Sequence, residues 1–259
     1  MSNKFKIEAP KNVDLKDDVG EIEVEYPLMD TPFSVAIIGS VRGGKSLLWS
    51  QLLTNPKFPY KDIFQVKILI SGTALNDKML KNVIDEDFDF IFDTYSDSLL
   101  EEIVDMIERD VSDTKYIIVF EDIIGAIKIK RTGSVDSLTA LVTKYRHISN
   151  GKIEGKLSLV IVTQYFKYLN AIMRLNMSAY FLMGNSSEGE LKKYSNEFSV
   201  FGGSSKKFIE NYKLTKKVKY DFTYLNMKSL SMFRNFETLI WSDDNDKETN
   251  KLNEEIKEE

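Results

Sequence analysis

The chain contains no cysteine. A disulfide framework, a cysteine-based zinc site and a thiol nucleophile are therefore excluded, and the default compartment is a reducing one. It has a single histidine, His147. A catalytic triad would have only that residue to draw on, and a multi-histidine metal centre is excluded. His147, beside Arg146, reads as a helix-end or packing residue. Long apolar runs are also missing: the longest, such as residues 116–120 (YIIVF), are of strand length, and the polar start MSNKFKIEAPKNVDLKDD lacks the apolar core of a signal peptide. No membrane span is expected. Chemistry must come from carboxylates, lysine, arginine, hydroxyls and backbone amides.

What is present is 259 residues, 42% hydrophobic and 29% charged, enough for one generous core or two small ones. That excludes wholesale disorder and a collagen-like fibre. The net charge of -5 is unevenly spread. Both ends are acidic, whereas the middle of the chain is mildly basic. Residues 205–219 (SKKFIENYKLTKKVK) hold six lysines and one glutamate, a pattern that suits either a nucleic-acid face or a solvated lysine-rich surface. The organisation expected is an N-terminal arm over residues 1–30, one domain over 31–242, and an acidic, aromatic-free, disordered tail over 243–259.

Within the domain, residues 34–39 (SVAIIG) form a short apolar, β-branched run, then a glycine-rich turn, then SLLWSQLL at helical spacing: strand, loop, helix. Further strands are expected at residues 66–71, 88–92, 116–120, 157–163 and 179–183, with helices at 97–109, 135–145 and 188–198. Strands apolar on both faces and alternating with helices imply an α/β fold with a central, mostly parallel β-sheet flanked by helices. Ligands of such sheets sit at the carboxyl ends of the strands. The aromatic-rich segment 220–241 reads as a helix or strand closing the fold.

Residues Gly39, Ser40, Val41, Arg42, Gly43, Gly44, Lys45 and Ser46 match G-x-x-x-x-G-K-[ST], the P-loop pattern, and stand between a buried strand and a helix as its mechanism requires. The glycines let successive N–H groups curl around phosphates, the helix N-terminus adds its dipole, and Lys45 reaches the terminal phosphate. Ser46 would place its hydroxyl on Mg²⁺. Glu121 and Asp122 close the 116–120 strand, where one acid can hold Mg²⁺ through its water shell and the other can polarise the attacking water. Their order is the reverse of the usual Asp-Glu, so which is ligand and which is base stays open; Glu121 is placed with Ser46 on the metal. Gln164, ending VIVTQ, would lie beside the P-loop strand in the sheet order common to hydrolytic P-loop proteins. There it could orient the water and sense the γ-phosphate; a strand-end glutamine satisfied by a loop is the alternative. The chain has six arginines, and Arg146 and Arg174, which bracket that strand, are the candidates for reaching a neighbouring subunit's nucleotide.

With GSVRGGKS, VFED, YRHIS, VIVTQ and IMRLN spaced in this order over residues 34–180, the chain resembles the viral genome-packaging ATPases of the FtsK–HerA superfamily, the poxvirus-type branch of large DNA viruses and virophages. The resemblance implies a P-loop NTPase of the additional-strand, RecA/FtsK-like type that takes ATP and Mg²⁺. It implies a homo-oligomeric ring with nucleotide bound between subunits, partners in double-stranded DNA and capsid or portal-like components, and action in the host-cell cytoplasm, at the viral factory, and in the virion. Gln164 then matches the sensor glutamine and Arg146 the trans-acting arginine, with Arg174 second. Two features depart from the family pattern: the reversed acid pair, and an insert at residues 151–156 (GKIEGK). Two other readings stand beside this one, a P-loop switch or assembly module with slow hydrolysis, and a related DNA helicase.

Overall fold

In Ser34–Ile38, strand β1, alternate side chains enter two different hydrophobic clusters: Ala36 and Ile38 face one, Val35 and Ile37 the other, and all five residues are buried. This is the signature of a strand sandwiched between two helical layers. The same alternation runs through β4 (Tyr116–Glu121) and β5 (Leu157–Thr163). The computed structural model describes residues 21–74, 77, 80–123, 136–149, 154–184 and 186–243. The remaining strands are β2 (Val66–Ser71), β3 (Phe90–Phe92), β6 (Ala179–Met183), β7 (Phe222–Asn226), β8 (Ser231–Arg234) and β9 (Thr238–Ser242). They form one sheet in the order β3-β2-β4-β5-β1-β6-β7-β8-β9. All pairings from β3 to β6 are parallel and those from β6 to β9 antiparallel.

One face of the sheet is covered by α1 (Lys45–Thr54), α2 (Tyr60–Ile63) and α3 (Lys81–Asp87), which contribute Trp49, Leu52, Tyr60 and Ile84 to the core there. The other face carries α4 (Asp97–Arg109), α5 (Ser137–Lys144), α6 (Ala171–Leu175), α7 (Glu188–Glu197) and α8 (Ser205–Leu214). The sequence of α4 shows why these segments become helices. Ser96 caps it by accepting from Leu99 N, and Leu100, Ile103, Val104 and Ile107 recur at the 3–4 residue spacing that makes one buried stripe. Each such side chain contributes about 1.5–3 kcal/mol when fully buried. Asp136, Asn170, Ser187 and Ser204 cap α5, α6, α7 and α8 in the same way.

The C-terminal segment departs from the expectation of one helix or strand. It is a three-stranded antiparallel meander, β7 to β9, added to the edge of β6. Its turns are made without glycine or proline: Asn226 Oδ1 accepts from the N–H groups of Lys228 and Ser229, while Leu230 and Asn235 adopt φ of 45° and 55°. Asparagine side chains that fold the backbone locally are weaker turn marks than an Asn-Gly pair.

Residues 21–30 of the expected arm lie against this meander and α2. Tyr60 Oη donates to Met29 O (2.7 Å) and accepts from Met29 N (2.8 Å), and Tyr224 Oη donates to Pro27 O (2.7 Å). Residues 1–20, Arg131, residues 151–153 and residues 244–259 lie outside the described residues. Among the described residues no helix is long and apolar enough to cross a membrane.

Candidate nucleotide-binding and catalytic site

The P-loop connects the carboxyl end of β1 to α1, and its glycines are demanded by close contacts. A Cβ on Gly39 would lie 2.6 Å from Met183 Cβ, and one on Gly43 would lie 2.9 Å from the Ser40 carbonyl oxygen. Gly44, at φ 90°, is the N-cap of α1, and because it has no side chain no capping group bonds to the first N–H groups of that helix. Arg42 also adopts positive φ (60°), which lets Gly43 N donate to Ser40 O at 3.1 Å and close the loop. A helix start with uncapped amides is an anion cradle.

Lys45 is buried, and its Nζ donates to the Ser40 carbonyl at 3.0 Å, folding back over its own loop. Burial lowers the pKa of the ammonium, against the opposing attraction of Asp122 and Glu121. The two acids at the end of β4 have separate orientations. Glu121 is 3% exposed and turns inward, where Oε1 accepts from the Ser46 hydroxyl at 2.5 Å. Its Oε2 is buried without a hydrogen bond; the Trp49 indole N–H faces this carboxylate but stops short of hydrogen-bond geometry. Burial raises the Glu121 pKa, opposed by the Ser46 hydrogen bond, Trp49 and Lys45. Asp122 is exposed at φ 52° and turns outward, within 3.5 Å of the Thr73 hydroxyl.

A hydroxyl and a carboxylate in contact, the latter with a second oxygen buried and unbonded beside another acid, form a hard-oxygen donor set that fits Mg²⁺. Ser46 and Glu121 are the residues that would hold it.

The β1–β5 pairing sets Ile38 opposite Thr163, so Gln164 emerges next to the P-loop, as the sequence reading required. All the P-loop residues from Val41 to Ser46, together with Glu121, Asp122 and Gln164, line one cleft of about 740 Å³ at the carboxyl ends of the strands. Leu47, Ala74, Leu80 and Val83 give it an apolar wall, and Thr73, Asp77 and Tyr220 also line it. None of these last three carries a motif, and they reach the cleft only through the fold.

The two candidate arginines for a neighbouring site lie elsewhere. Arg146 sits in the 3-10 turn Tyr145–His147, at the amino end of β5, a strand length or about 20 Å from Gln164. It is exposed, donates from Nε to Tyr145 Oη at 3.0 Å, and lines a second cavity of about 380 Å³ with Glu21, Asp30 and Lys228. Arg174 on α6 is engaged within the chain, with Nε on Glu197 (3.0 Å), Nη1 on Leu169 O (2.9 Å) and its guanidinium 5.0 Å from the Phe166 ring centroid. His147 lies 3.9 Å from Glu154 on the surface. From the insert, Lys156 is a core residue whose Nζ donates to Asp110 O and Oδ2.

No protein-family model matches the chain, and no curated protein sequence is similar to it. Solved structures are similar. The DNA-packaging ATPase B204 from Sulfolobus turreted icosahedral virus superposes at TM-score 0.59 with 16% identity, over 79% of this chain and 97% of that one. The genome packaging NTPase B204 from Sulfolobus turreted icosahedral virus 2 does so in complex with AMP (TM-score 0.55, 15% identity, 78% and 96% covered) and with ATP-gammaS (0.53, 15%, 77% and 95%). At such identities the likeness is one of fold: the chain has the fold of these packaging NTPases, and in its own sheet β5 stands between the P-loop strand β1 and the acid-bearing β4.

Proposed function

We propose that the chain is an ATPase that hydrolyses ATP in the P-loop cleft and, as a subunit of a homo-oligomeric ring, drives double-stranded DNA into a viral capsid within the infected cell. One observation carries the hydrolytic part. An anion cradle, a lysine, a half-buried Ser46–Glu121 pair, an outward-facing acid and a strand-end glutamine from three different strands line a single cleft.

In this reading the α1 amides and Lys45 bind the β- and γ-phosphates, Lys45 exchanging the Ser40 carbonyl for phosphate oxygen. Mg²⁺, held by Ser46 and Glu121, would neutralise charge on the phosphate oxygens. Asp122, facing the cleft, accepts a proton from the attacking water, and Gln164 orients that water and registers loss of the γ-phosphate. Arg146, exposed and remote from its own cleft, would act on a neighbour's nucleotide, whereas Arg174 is committed to Glu197 and Leu169. Exposed Lys206, Lys207, Lys213, Lys217 and Lys219 on α8 and the loop after it supply a sequence-independent contact to DNA phosphates.

The test is steady-state ATP hydrolysis by the full chain with and without linear duplex DNA, with Lys45→Ala as the blank. DNA-stimulated turnover that vanishes in the variant is the expected result. Nucleotide binding without DNA-dependent turnover at any salt concentration would instead favour a switch or assembly module.

A further inference from the structure

The catalytic groups Glu121 and Gln164 come from β4 and β5, on one side of the P-loop strand β1. On the other side, beyond β6, the loop leading into β7 contributes Tyr220 to the same cleft. This loop is built to hold that ring in place. Tyr220 adopts φ 72°, a region that side chains other than glycine and asparagine seldom occupy. Strained conformations of this kind persist where their surroundings over-determine them.

Here the surroundings are Asp221, 4% exposed, whose carboxylate accepts from Lys217 N (3.0 Å), Val218 N (2.9 Å), Arg234 Nε (2.8 Å) and Asn235 Nδ2 (3.2 Å). Lys216 Nζ ties the loop to β6 by donating to Leu182 O, and also donates to Asp221 O. The ring is braced against the P-loop itself. A Cβ on Gly44 would lie 3.3 Å from Tyr220 Cδ1 and 3.4 Å from Met183 Cε. In spite of this bracing Tyr220 is 51% exposed, with the Lys219 ammonium 4.7 Å from its centroid.

A planar, half-exposed aromatic surface fixed beside a phosphate cradle, on the side away from the hydrolytic groups, suits the other end of a nucleotide. We propose that Tyr220 is the platform on which the purine base stacks when the phosphates occupy the P-loop. This rests on the nucleotide reading above and adds to it the residue that recognises the base. Stacking tolerates any purine, so the platform supplies affinity rather than discrimination between bases.

Calorimetric titration of the full chain with ADP and, separately, with inorganic tripolyphosphate tests it. Tyr220→Ala is expected to weaken ADP binding on the order of tenfold while leaving tripolyphosphate unchanged, and Tyr220→Phe is expected to bind both as the parent does. Tyr220→Gly, which removes the ring and relieves the backbone strain together, is expected to match Tyr220→Ala. The platform is overturned if Tyr220→Ala holds ADP as tightly as the parent, or if ADP and tripolyphosphate weaken in parallel, which would make the ring a brace for the loop alone. A parent chain that binds neither probe overturns the nucleotide reading, and the platform with it.

Discussion

The Ser46 hydroxyl donates to Glu121 Oε1 at 2.5 Å, joining the first turn of α1 to the end of β4 across 75 positions of sequence. The bond holds the two residues that would share a metal ion in register before any ligand arrives. It also leaves Glu121 Oε2 buried without a hydrogen bond.

Removing either partner should therefore separate binding from turnover. Glu121→Gln keeps the shape but not the charge, and is expected to lower ATP hydrolysis by about 10²-fold or more while nucleotide is still bound. Ser46→Ala leaves the whole Glu121 carboxylate unbonded and is expected to reduce both turnover and melting temperature. Single-turnover hydrolysis and thermal melting of the two variants distinguish these outcomes.

Arg146→Ala should lose hydrolysis on the order of 10³-fold without loss of nucleotide binding, as expected for an arginine that acts on a neighbouring site. Mixed with a Lys45→Ala chain, it should regain activity, because each type of subunit supplies what the other lacks. Titrating one variant into the other at constant total protein reads this out. A folded mixture that stays inactive would remove Arg146 from the site.

The Tyr220 loop should report pH. Burial brings the Lys216 ammonium from 10.5 down to about 7, against the attraction of Asp221. The unfolded chain therefore binds more protons than the folded one between those two values, so this lysine makes stability rise as pH climbs from about 7 towards 10.5. In Lys216→Met that part of the rise should be gone. Melting temperatures of parent and variant across pH 6.5 to 9.5 (a range chosen around the shift above) check it, through the difference between their slopes.

Lys156 provides a test of stability remote from the cleft. Its amine has no exposed surface, donates to Asp110 O and Oδ2, and lies 5.6 Å from the Tyr116 ring centroid. Lys156→Ala leaves a cavity and removes one of the groups bonded to Asp110, at a cost of about 3 kcal/mol, and Lys156→Met, which keeps the volume, should cost less. Chemical denaturation measures both, and nucleotide affinity should not change.

Much of this architecture was legible along the chain. The α4 stripe of Leu100, Ile103, Val104 and Ile107 predicts the helix within the bounds observed, because periodicity and capping are local properties. The run LSLVIVT reads as a strand for the same reason, and the P-loop is legible because its spacing is dictated by backbone geometry around a phosphate. The meander of β7 to β9 was not legible. It is apolar on both faces, with Phe222, Tyr224 and Phe233 on one and Leu225, Met232 and Trp241 on the other, and turns at asparagines, so neither period nor punctuation distinguishes it from a helix.

By itself, then, the sequence determined the composition of the site: a phosphate loop, two adjacent acids, a strand-end glutamine and a short supply of arginines. Only the tertiary structure decided their arrangement. The positive φ of Asp122 turns it outward while Glu121 stays under Ser46, the insertion of β5 brings Gln164 beside the P-loop, and the Asp221 clamp carries Tyr220 to Gly44 from 176 positions away. Each of these depends on contacts between segments far apart in the chain, and no local pattern of residue types encodes which distant segment a side chain will meet.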